Sequence, residues 1–208
     1  MATLLRILLA TTVAFGVASC SSDDDSETTT TTTEATASDD EADAADSEGS
    51  ADESGDDAVE EELSITSEAF TDGAAIPAEY TCDGANTQPP LAITGTPEDA
   101  TGLVLIVDDP DAPNGSFIHW VVWNLEPDAT IPEGSLPEGA VEGTNGTSNT
   151  AWFGPCPPPD GPHNYEFQLS AVDAEPAVAA GATADEVRSA IADSTVATAT
   201  LVGTYERT

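Results

Sequence analysis

The sequence predicts a mainly β domain, built from two packed antiparallel sheets with one or two short helices. Three observations indicate this fold. Only one segment has a helical pattern, and the 15 Pro and 16 Gly of the chain fall mostly between apolar segments, where they suit turns. The segments with the apolar or alternating pattern of β-strands are residues 103–107, 117–123, 163–173 and 196–205.

The first two predicted strands flank an acidic turn. Residues 103–107 form an unbroken aliphatic run, which is typical of a strand buried on both faces. Residues 117–123 form the second strand. The segment between them is rich in turn-forming residues, and Asn114-Gly115 would supply the positive φ angles of a tight reversal.

The later strands enclose the one predicted helix. Residues 163–173 alternate, which predicts a strand with one solvated side and an apolar side carrying Tyr165, Phe167, Leu169 and Ala171. Thr183 and Glu186 match a capping box, so a helix is predicted to begin there. Residues 196–205 return to a strand pattern.

Two segments of different composition precede the predicted domain, residues 63–208. Residues 1–19 contain an apolar run of signal-peptide length that is too short to span a bilayer. The run ends at Cys20 in a pattern that resembles a bacterial lipobox; an ordinary cleavage site is the alternative. The lipobox predicts an exported, extracytoplasmic lipoprotein that is anchored to the cell membrane through Cys20.

Residues 20–62 have the composition of a disordered tether. They consist almost wholly of Ser, Thr, Ala, Asp, Glu and Gly and carry 18 of the 40 acidic residues. Such a segment has too little apolar surface to offset the entropy of ordering. An acidic interaction tail is the alternative.

The charge of the chain excludes several classes of function. Three basic residues against 40 acidic ones give a formal net charge of −37, so neither a nucleic-acid-binding face nor a polybasic lipid-binding patch is expected. The absence of Lys excludes Schiff-base chemistry and a P-loop. Two His and three Cys are too few for a His- or Cys-rich zinc site, and we expect no metal and no cofactor.

Three clusters carry the residues suited to chemistry. In the first, Asp108, Asp109 and Asp111 repel one another, so at least one should have a raised pKa or an internal hydrogen bond. An acidic turn on an acidic protein is the alternative. In the second, His119 lies within an apolar strand, where a satisfied core histidine is the common case; alternation puts it opposite Trp120.

The third cluster is rich in proline. Across residues 155–159 the only backbone N–H belongs to Cys156, because proline has none. A loop stiffened in this way would aim that single donor at little entropic cost. His163 and Tyr165 follow, two apart on a strand, so their side chains point the same way. A polyproline linker before an ordinary strand is the alternative.

These blocks together resemble the phosphatidylethanolamine-binding protein (PEBP) family, in its bacterial YbhB/YbcL-type branch, often labelled Raf-kinase-inhibitor-like. The resemblance spans about residues 65–207. The matching positions, in order and at the family's spacing, are Asp109 to Pro113, His119-Trp120 with Asn124, Gly154 with Pro157-Pro158, and His163 with Tyr165. One departure is Asn164, where an Arg is common, which removes a cation and should weaken anion attraction.

The resemblance implies a Greek-key antiparallel β-sandwich with a small pocket for phosphate-like anions or phosphoryl head groups. Asp111 would support the loop beside the pocket, Pro157 and Pro158 would wall it, and the Ala112–Pro113 bond is a candidate for the cis form. The pocket would be lined by Asp109, His119, the N–H of Cys156, His163 and Tyr165. Members of the family often form dimers through their sheets, so the resemblance also makes a homodimer a candidate assembly.

The residues agree with a binding site. Two imidazoles, a phenol and an amide are donors for an oxyanion, and the set lacks a nucleophile paired with a base. We therefore expect a non-enzymatic, membrane-tethered receptor for a small anionic or phosphorylated ligand. Two alternatives are a regulator that contacts a kinase or protease and, less favoured, a phosphoester hydrolase that uses His119 or His163.

The remaining cysteines suggest a crosslink. If Cys20 is lipidated, Cys82 and Cys156 are an even pair in an exported protein, which invites a disulfide. Two free buried cysteines are the alternative.

Overall fold

The structure is a computed structural model that describes residues 61–207. The predicted signal peptide, the lipidation site Cys20 and the tether up to residue 60 lie outside the described residues. Within residues 61–207 no helix has the length and apolar character needed to cross a bilayer.

Strands dominate the described chain. One α-helix, α1, covers Ala184–Ile191, and a short 3₁₀ helix covers Ala78–Tyr80. The strands are β1 (Ser64–Thr66), β2 (Leu91–Thr94), β3 (Gly102–Asp109), β4 (Phe117–Leu125), β5 (Thr130–Ile131), β6 (Val141–Glu142), β7 (His163–Val172) and β8 (Thr195–Tyr205).

The strands form two antiparallel sheets, which confirms the predicted fold class. One sheet has the order β1-β2-β5, and the other has the order β6-β4-β3-β7-β8. Its central strand, β3, is buried along all eight residues, as its aliphatic run predicted. One face of the larger sheet contributes to the main core with residues of the smaller sheet, and its other face packs against α1.

The long elements were predicted and the short ones were missed. β3, β4, β7, β8 and α1 occur where the sequence patterns indicated, and Thr183 and Glu186 form the predicted capping box. By contrast, β1, β2, β5 and β6 have two to four residues each. That is too short for a periodic pattern to develop, so only their pairing with neighbours defines them.

A β-bulge makes the prediction for the face of His119 wrong. Val107 of β3 pairs with Trp120, but the next residue, Asp108, pairs with Ile118, so His119 is the extra residue on β4. A bulge interrupts the alternation of side chains. Trp120 therefore belongs to the main core, together with the Tyr165 ring that His119 contacts.

The turn between β3 and β4 also differs from its prediction. The N–H of Gly115 donates to the carbonyl of Ala112 at 2.9 Å, which places Pro113 at the second turn position, where its fixed φ is suitable. Gly115 has a φ of +93°, whereas Asn114 is not among the residues with positive φ. The expected cis bond between Ala112 and Pro113 is wrong, since this bond is trans, like every described peptide bond. A turn with Pro113 at its second position closes with a trans bond.

Candidate functional site

One end of the larger sheet brings four of the predicted residues together. Asp109 is the last residue of β3, and His163 and Tyr165 lie at the start of the antiparallel neighbour β7. His119 lies near the start of β4, on the other side of β3. Adjacent antiparallel strands place the end of one beside the start of the next, so these side chains meet at one edge.

Asp109 fixes the ring of His163. Its Oδ2 atom lies 2.8 Å from Nδ1 of His163, and both side chains are almost fully buried. Oδ1 of Asp109 accepts the backbone N–H of Asp111 at 2.9 Å, so the carboxylate is held at both oxygens. The arrangement orients the imidazole and leaves its Nε2 atom directed away from the pair, with the exposed Asp160 3.9 Å from it.

A backbone carbonyl fixes the second imidazole, His119. Nδ1 of His119 lies 2.5 Å from the carbonyl oxygen of Phe153. The ring stacks on Phe153 and meets Phe117 edge-on, with centroids 5.7 Å and 5.0 Å away. Burial lowers the pKa of His119 against the opposing effect of the Phe153 carbonyl, so the ring is held neutral at pH 7.

Tyr165 carries a buried hydroxyl without a partner. Its ring is fully buried and meets the His119 ring edge-on at 5.1 Å. Among residues 61–207, its Oη atom is the one sealed side-chain oxygen or nitrogen with no hydrogen-bond partner. The N–H of Cys156 approaches this oxygen without reaching hydrogen-bond geometry, and burial raises the pKa of Tyr165 above its ordinary value.

The loop that carries Cys156 is held on two sides. Phe153 donates its N–H to the carbonyl of His119 at 3.1 Å, which ties the loop to β4. Gly154 donates its N–H to Oδ1 of Asn86 at 2.8 Å, which ties it to the segment after the 3₁₀ helix. A disulfide joins Cys82 to Cys156, and the N–H of Cys82 donates to the carbonyl of Pro155 at 3.1 Å.

The three clustered carboxylates do not share a site. Asp108 points to the α1 side of the sheet, where it accepts hydrogen bonds from Ser116 and Arg188. Asp111 accepts the backbone and side-chain N–H groups of Asn164, both at 2.8 Å. These bonds lower the pKa of Asp111, so hydrogen bonds offset the repulsion at this carboxylate.

Asp111 therefore holds the start of β7, and Asn164 has a structural role in place of the cation common in the family. Pro157 is buried and Pro158 is half-buried, next to Cys156. Their function as a pocket wall stays a prediction.

Sequence reasoning missed the residues that hold the site from outside the motifs. Phe153 supplies the carbonyl that fixes His119, and Asn86 anchors Gly154 from a backbone with a φ of +57°. Tyr205 pairs with His163 across β7 and β8, and its hydroxyl donates to Asp83 at 2.9 Å. The residue type of Asn86 was a usable signal for a turn with positive φ, since asparagine is enriched there. A contact through a backbone carbonyl, such as that of Phe153, leaves no signal in the sequence.

Two further features bear on the chemistry of the site. Hydrogen bonds from Arg207 and Tyr205 lower the pKa of Asp83, so this carboxylate next to Cys82 stays charged. Within the described residues, no group of three or more His, Cys, Asp or Glu side chains is arranged to hold a metal ion.

Comparison with known proteins gives the same assignment from sequence and from structure. A UPF0098 protein of Methanothermobacter thermautotrophicus is 41% identical over 151 residues, covering 70% of this chain and 99% of that protein. The structure of a PEBP homologue of Chlamydia trachomatis has 38% identity and a TM-score of 0.67, covering 71% of this chain and 99% of its own. The structure of E. coli YbcL, described as a new member of the mammalian PEBP family, has 29% identity and the same TM-score, covering 71% of this chain and 100% of its own.

The family model described as phosphatidylethanolamine-binding protein matches residues 66–206, which contain every element from β2 to β8 and every residue of the candidate site. The chain belongs to the phosphatidylethanolamine-binding protein family.

Proposed function

We propose that this protein binds a small phosphate-like anion or a phosphoryl head group at the site formed by His119, His163, Tyr165 and the N–H of Cys156. Membership of the family supports a binding function in general terms. The specific ligand class is inferred from the polar groups of the site.

The observation that carries the proposal is the hydroxyl of Tyr165. A buried polar atom without a partner costs free energy, and such atoms are rare in folded proteins. The Tyr165 ring contacts the His119 ring, and the Cys156 N–H approaches the hydroxyl oxygen, so a ligand oxygen that reaches this hydroxyl would gain hydrogen bonds from it and from the amide. Converging donors of this kind suit an oxyanion.

Binding without catalysis fits the groups in the site. Cys82 and Cys156 are joined to each other, so neither supplies a thiolate. Nδ1 of each imidazole is occupied, by Phe153 in one case and by Asp109 in the other. Each bond fixes a ring in position, which serves recognition as well as it would serve chemistry.

Replacement of Tyr165 by Phe should separate stability from binding. Tyr165→Phe removes only the hydroxyl without a partner, so the free energy of unfolding should rise by about 1 kcal/mol. The variant loses one donor to the ligand, so its affinity for inorganic phosphate should fall about tenfold. Urea unfolding and isothermal titration calorimetry of the full-length chain measure the two effects.

Tyr80→Phe is the matched control. The hydroxyl of Tyr80 donates to Glu133 at 3.2 Å, so this variant loses a bond that is made and should not gain stability. Its phosphate affinity should equal that of the unchanged chain. Equal phosphate affinity in Tyr165→Phe and the unchanged chain, or no phosphate binding by the unchanged chain, would contradict the proposed function.

We also propose that the protein is exported and held on a membrane by a lipid on Cys20, with residues 20–62 as a tether. The support is the sequence pattern that ends at Cys20 and the composition of the segment that follows. Mass spectrometry of the protein from its membrane fraction tests this; an unmodified Cys20 in that fraction would contradict the anchor.

A further inference from the structure

His119 reaches the site because β4 carries a β-bulge at this position. Ile118 packs on the α1 side of the sheet, whereas the next residue, His119, contacts the Tyr165 ring, and Trp120 belongs to the main core. Two consecutive residues of β4 therefore face the same side. A regular strand cannot achieve this, because its side chains alternate, and the register shift between β3 and β4 makes it possible.

Without this shift the site would lose His119. If the pairing of Val107 with Trp120 continued along both strands, His119 would lie opposite Asp108. Residues that pair across two strands share a face, so His119 would then face α1 instead of the site. In the structure Asp108 lies opposite Ile118, and the register at Asp108 thus decides which face His119 takes.

Asp108 is a buried carboxylate at the position of the shift, on the α1 face of the sheet. Its residue is 7% exposed. Oδ1 of Asp108 accepts a hydrogen bond from the hydroxyl of Ser116, and Oδ2 accepts one from Nη2 of Arg188 at 3.1 Å. A buried charge requires such partners, so both oxygens tie Asp108 to its surroundings.

Ser116 connects this carboxylate to the start of β4. It immediately precedes Phe117, the first residue of β4, whose ring contacts the His119 ring. The extra residue of a bulge is left out of strand pairing and disrupts the ladder locally. The bond from Ser116 to Asp108 therefore joins β3 to β4 just before the point at which their backbone pairing is weakened.

Arg188 connects the same carboxylate to two further elements. It belongs to α1, and its Nη2 atom also donates to Oε1 of Gln168 on β7 at 3.0 Å. Asp108 pairs directly with Glu166 of β7, so the two carboxylates would repel each other without a cation. Residues 61–207 contain two Arg and no Lys, and one of these two cations is placed here.

We infer that Ser116 and Arg188 act through Asp108 as positioning residues for the binding site, because they fix the strand register that turns His119 toward the ligand. This inference rests on the proposed function. Asp108 lies on the face of the sheet opposite to the site, so the cluster acts without contact with the ligand. The carbonyl of Phe153 then orients the ring that the bulge presents.

Ser116→Ala tests the inference without a change of charge. Ser116 is exposed, so the variant should fold, and it loses the hydroxyl bond to Asp108. We expect the affinity of the full-length chain for inorganic phosphate to fall by about fivefold in calorimetry. In the ligand-free chain labelled with nitrogen-15 histidine, the His119 resonances should shift while those of His163 stay in place. Ser116→Thr keeps a hydroxyl and should restore both values.

Arg188→Gln should act in the same direction and more strongly. It leaves the buried Asp108 carboxylate opposite Glu166 without a cation, which is the more costly loss. We expect phosphate affinity to fall by about tenfold, with a shift of the same His119 resonances. Unchanged His119 resonances in a folded Arg188→Gln chain would show that Arg188 does not position the ring.

Val187→Ala is the control for stability. Val187 is the neighbour of Arg188 on α1 and is fully buried in the apolar cluster beneath the helix. Its truncation should lower the unfolding midpoint in urea at least as much as Ser116→Ala does, because it creates a cavity. Phosphate affinity and the His119 resonances should stay unchanged.

Two outcomes would overturn the inference: His119 resonances that do not move in Ser116→Ala, or a loss of phosphate affinity in Val187→Ala as large as that in Ser116→Ala. The second outcome would mean that the cluster contributes only to stability. If the unchanged chain does not bind phosphate, the proposed function fails, whereas the His119 resonances still test the positioning of the ring.

Discussion

Removal of the Cys82–Cys156 disulfide should lower the free energy of unfolding by about 4 kcal/mol. The two cysteines are 74 residues apart, and a crosslink that closes so long a loop removes much of the conformational entropy of the unfolded chain. This loss is a large fraction of the stability of an ordinary domain. Urea unfolding of a Cys82→Ser, Cys156→Ser double variant measures it.

The same change should weaken ligand binding, because the disulfide holds the loop that carries the Cys156 N–H. Phosphate affinity should fall in the double variant even under conditions in which it remains folded. A reducing agent should lower the unfolding midpoint of the unchanged chain and leave that of the double variant alone. Identical midpoints for the chain and the variant without reductant would show that the crosslink contributes nothing.

Gly154→Ala should destabilise the protein by about 3 kcal/mol, because the loop at this position touches its neighbours through backbone atoms. A Cβ atom here would overlap the carbonyl oxygen of Tyr80 and lie 2.7 Å from Oδ1 of Asn86 and 2.9 Å from Cα of Thr81. Two of these three neighbouring atoms belong to the backbone, which moves less readily than a flexible side chain. Relief requires the loop to move away from the segment 80–86, which displaces the neighbouring Cys156 N–H, so phosphate affinity should fall as well.

Gly102→Ala provides the control for this substitution. Gly102, the first residue of β3, is also buried, but a Cβ there meets only the carbonyl oxygen of Leu125, at an ordinary 3.5 Å. Its effect on the unfolding free energy should be within about 1 kcal/mol of zero, since alanine fits and reduces the entropy of the unfolded chain. Equal losses at positions 102 and 154 would refute the close-approach argument.

The parts of the fold that could be predicted are the elements whose pattern lies within one continuous segment of the sequence. β3 is buried on both faces and reads as an unbroken aliphatic run, and β7 alternates because its two faces differ. The capping box at Thr183 is local in the same sense. Each of these patterns needs only the residues of its own segment.

The parts that could not be predicted depend on pairing between distant segments. The bulge at His119 exists because β3 and β4 shift register between Val107 and Asp108, and no pattern within β4 indicates the shift. Without it, alternation gives the wrong face for the central residue of the site. The carbonyl of Phe153 is equally invisible, since every residue has one and only the fold decides which reaches an imidazole.

The candidate site was located by its motifs, but its chemistry came from the geometry. The sequence suggested two imidazoles as donors to an anion. The structure shows that Nδ1 of each ring is already engaged, by the Phe153 carbonyl in His119 and by the Asp109 carboxylate in His163, so only Nε2 of each ring is left to meet a ligand. The residue types therefore identified which side chains form the site, and their hydrogen-bond partners determine which atoms remain for a ligand.

The central claim is that side chains far apart in the chain surround one small anion. Nitrogen-15 labelling of histidine tests it most directly, because the chain has only two histidines, His119 and His163. Titration with inorganic phosphate should shift the Nε2 resonances of both residues along one binding curve. Two different midpoints, or a response from only one ring, would show that the histidines do not share a ligand and would contradict the account.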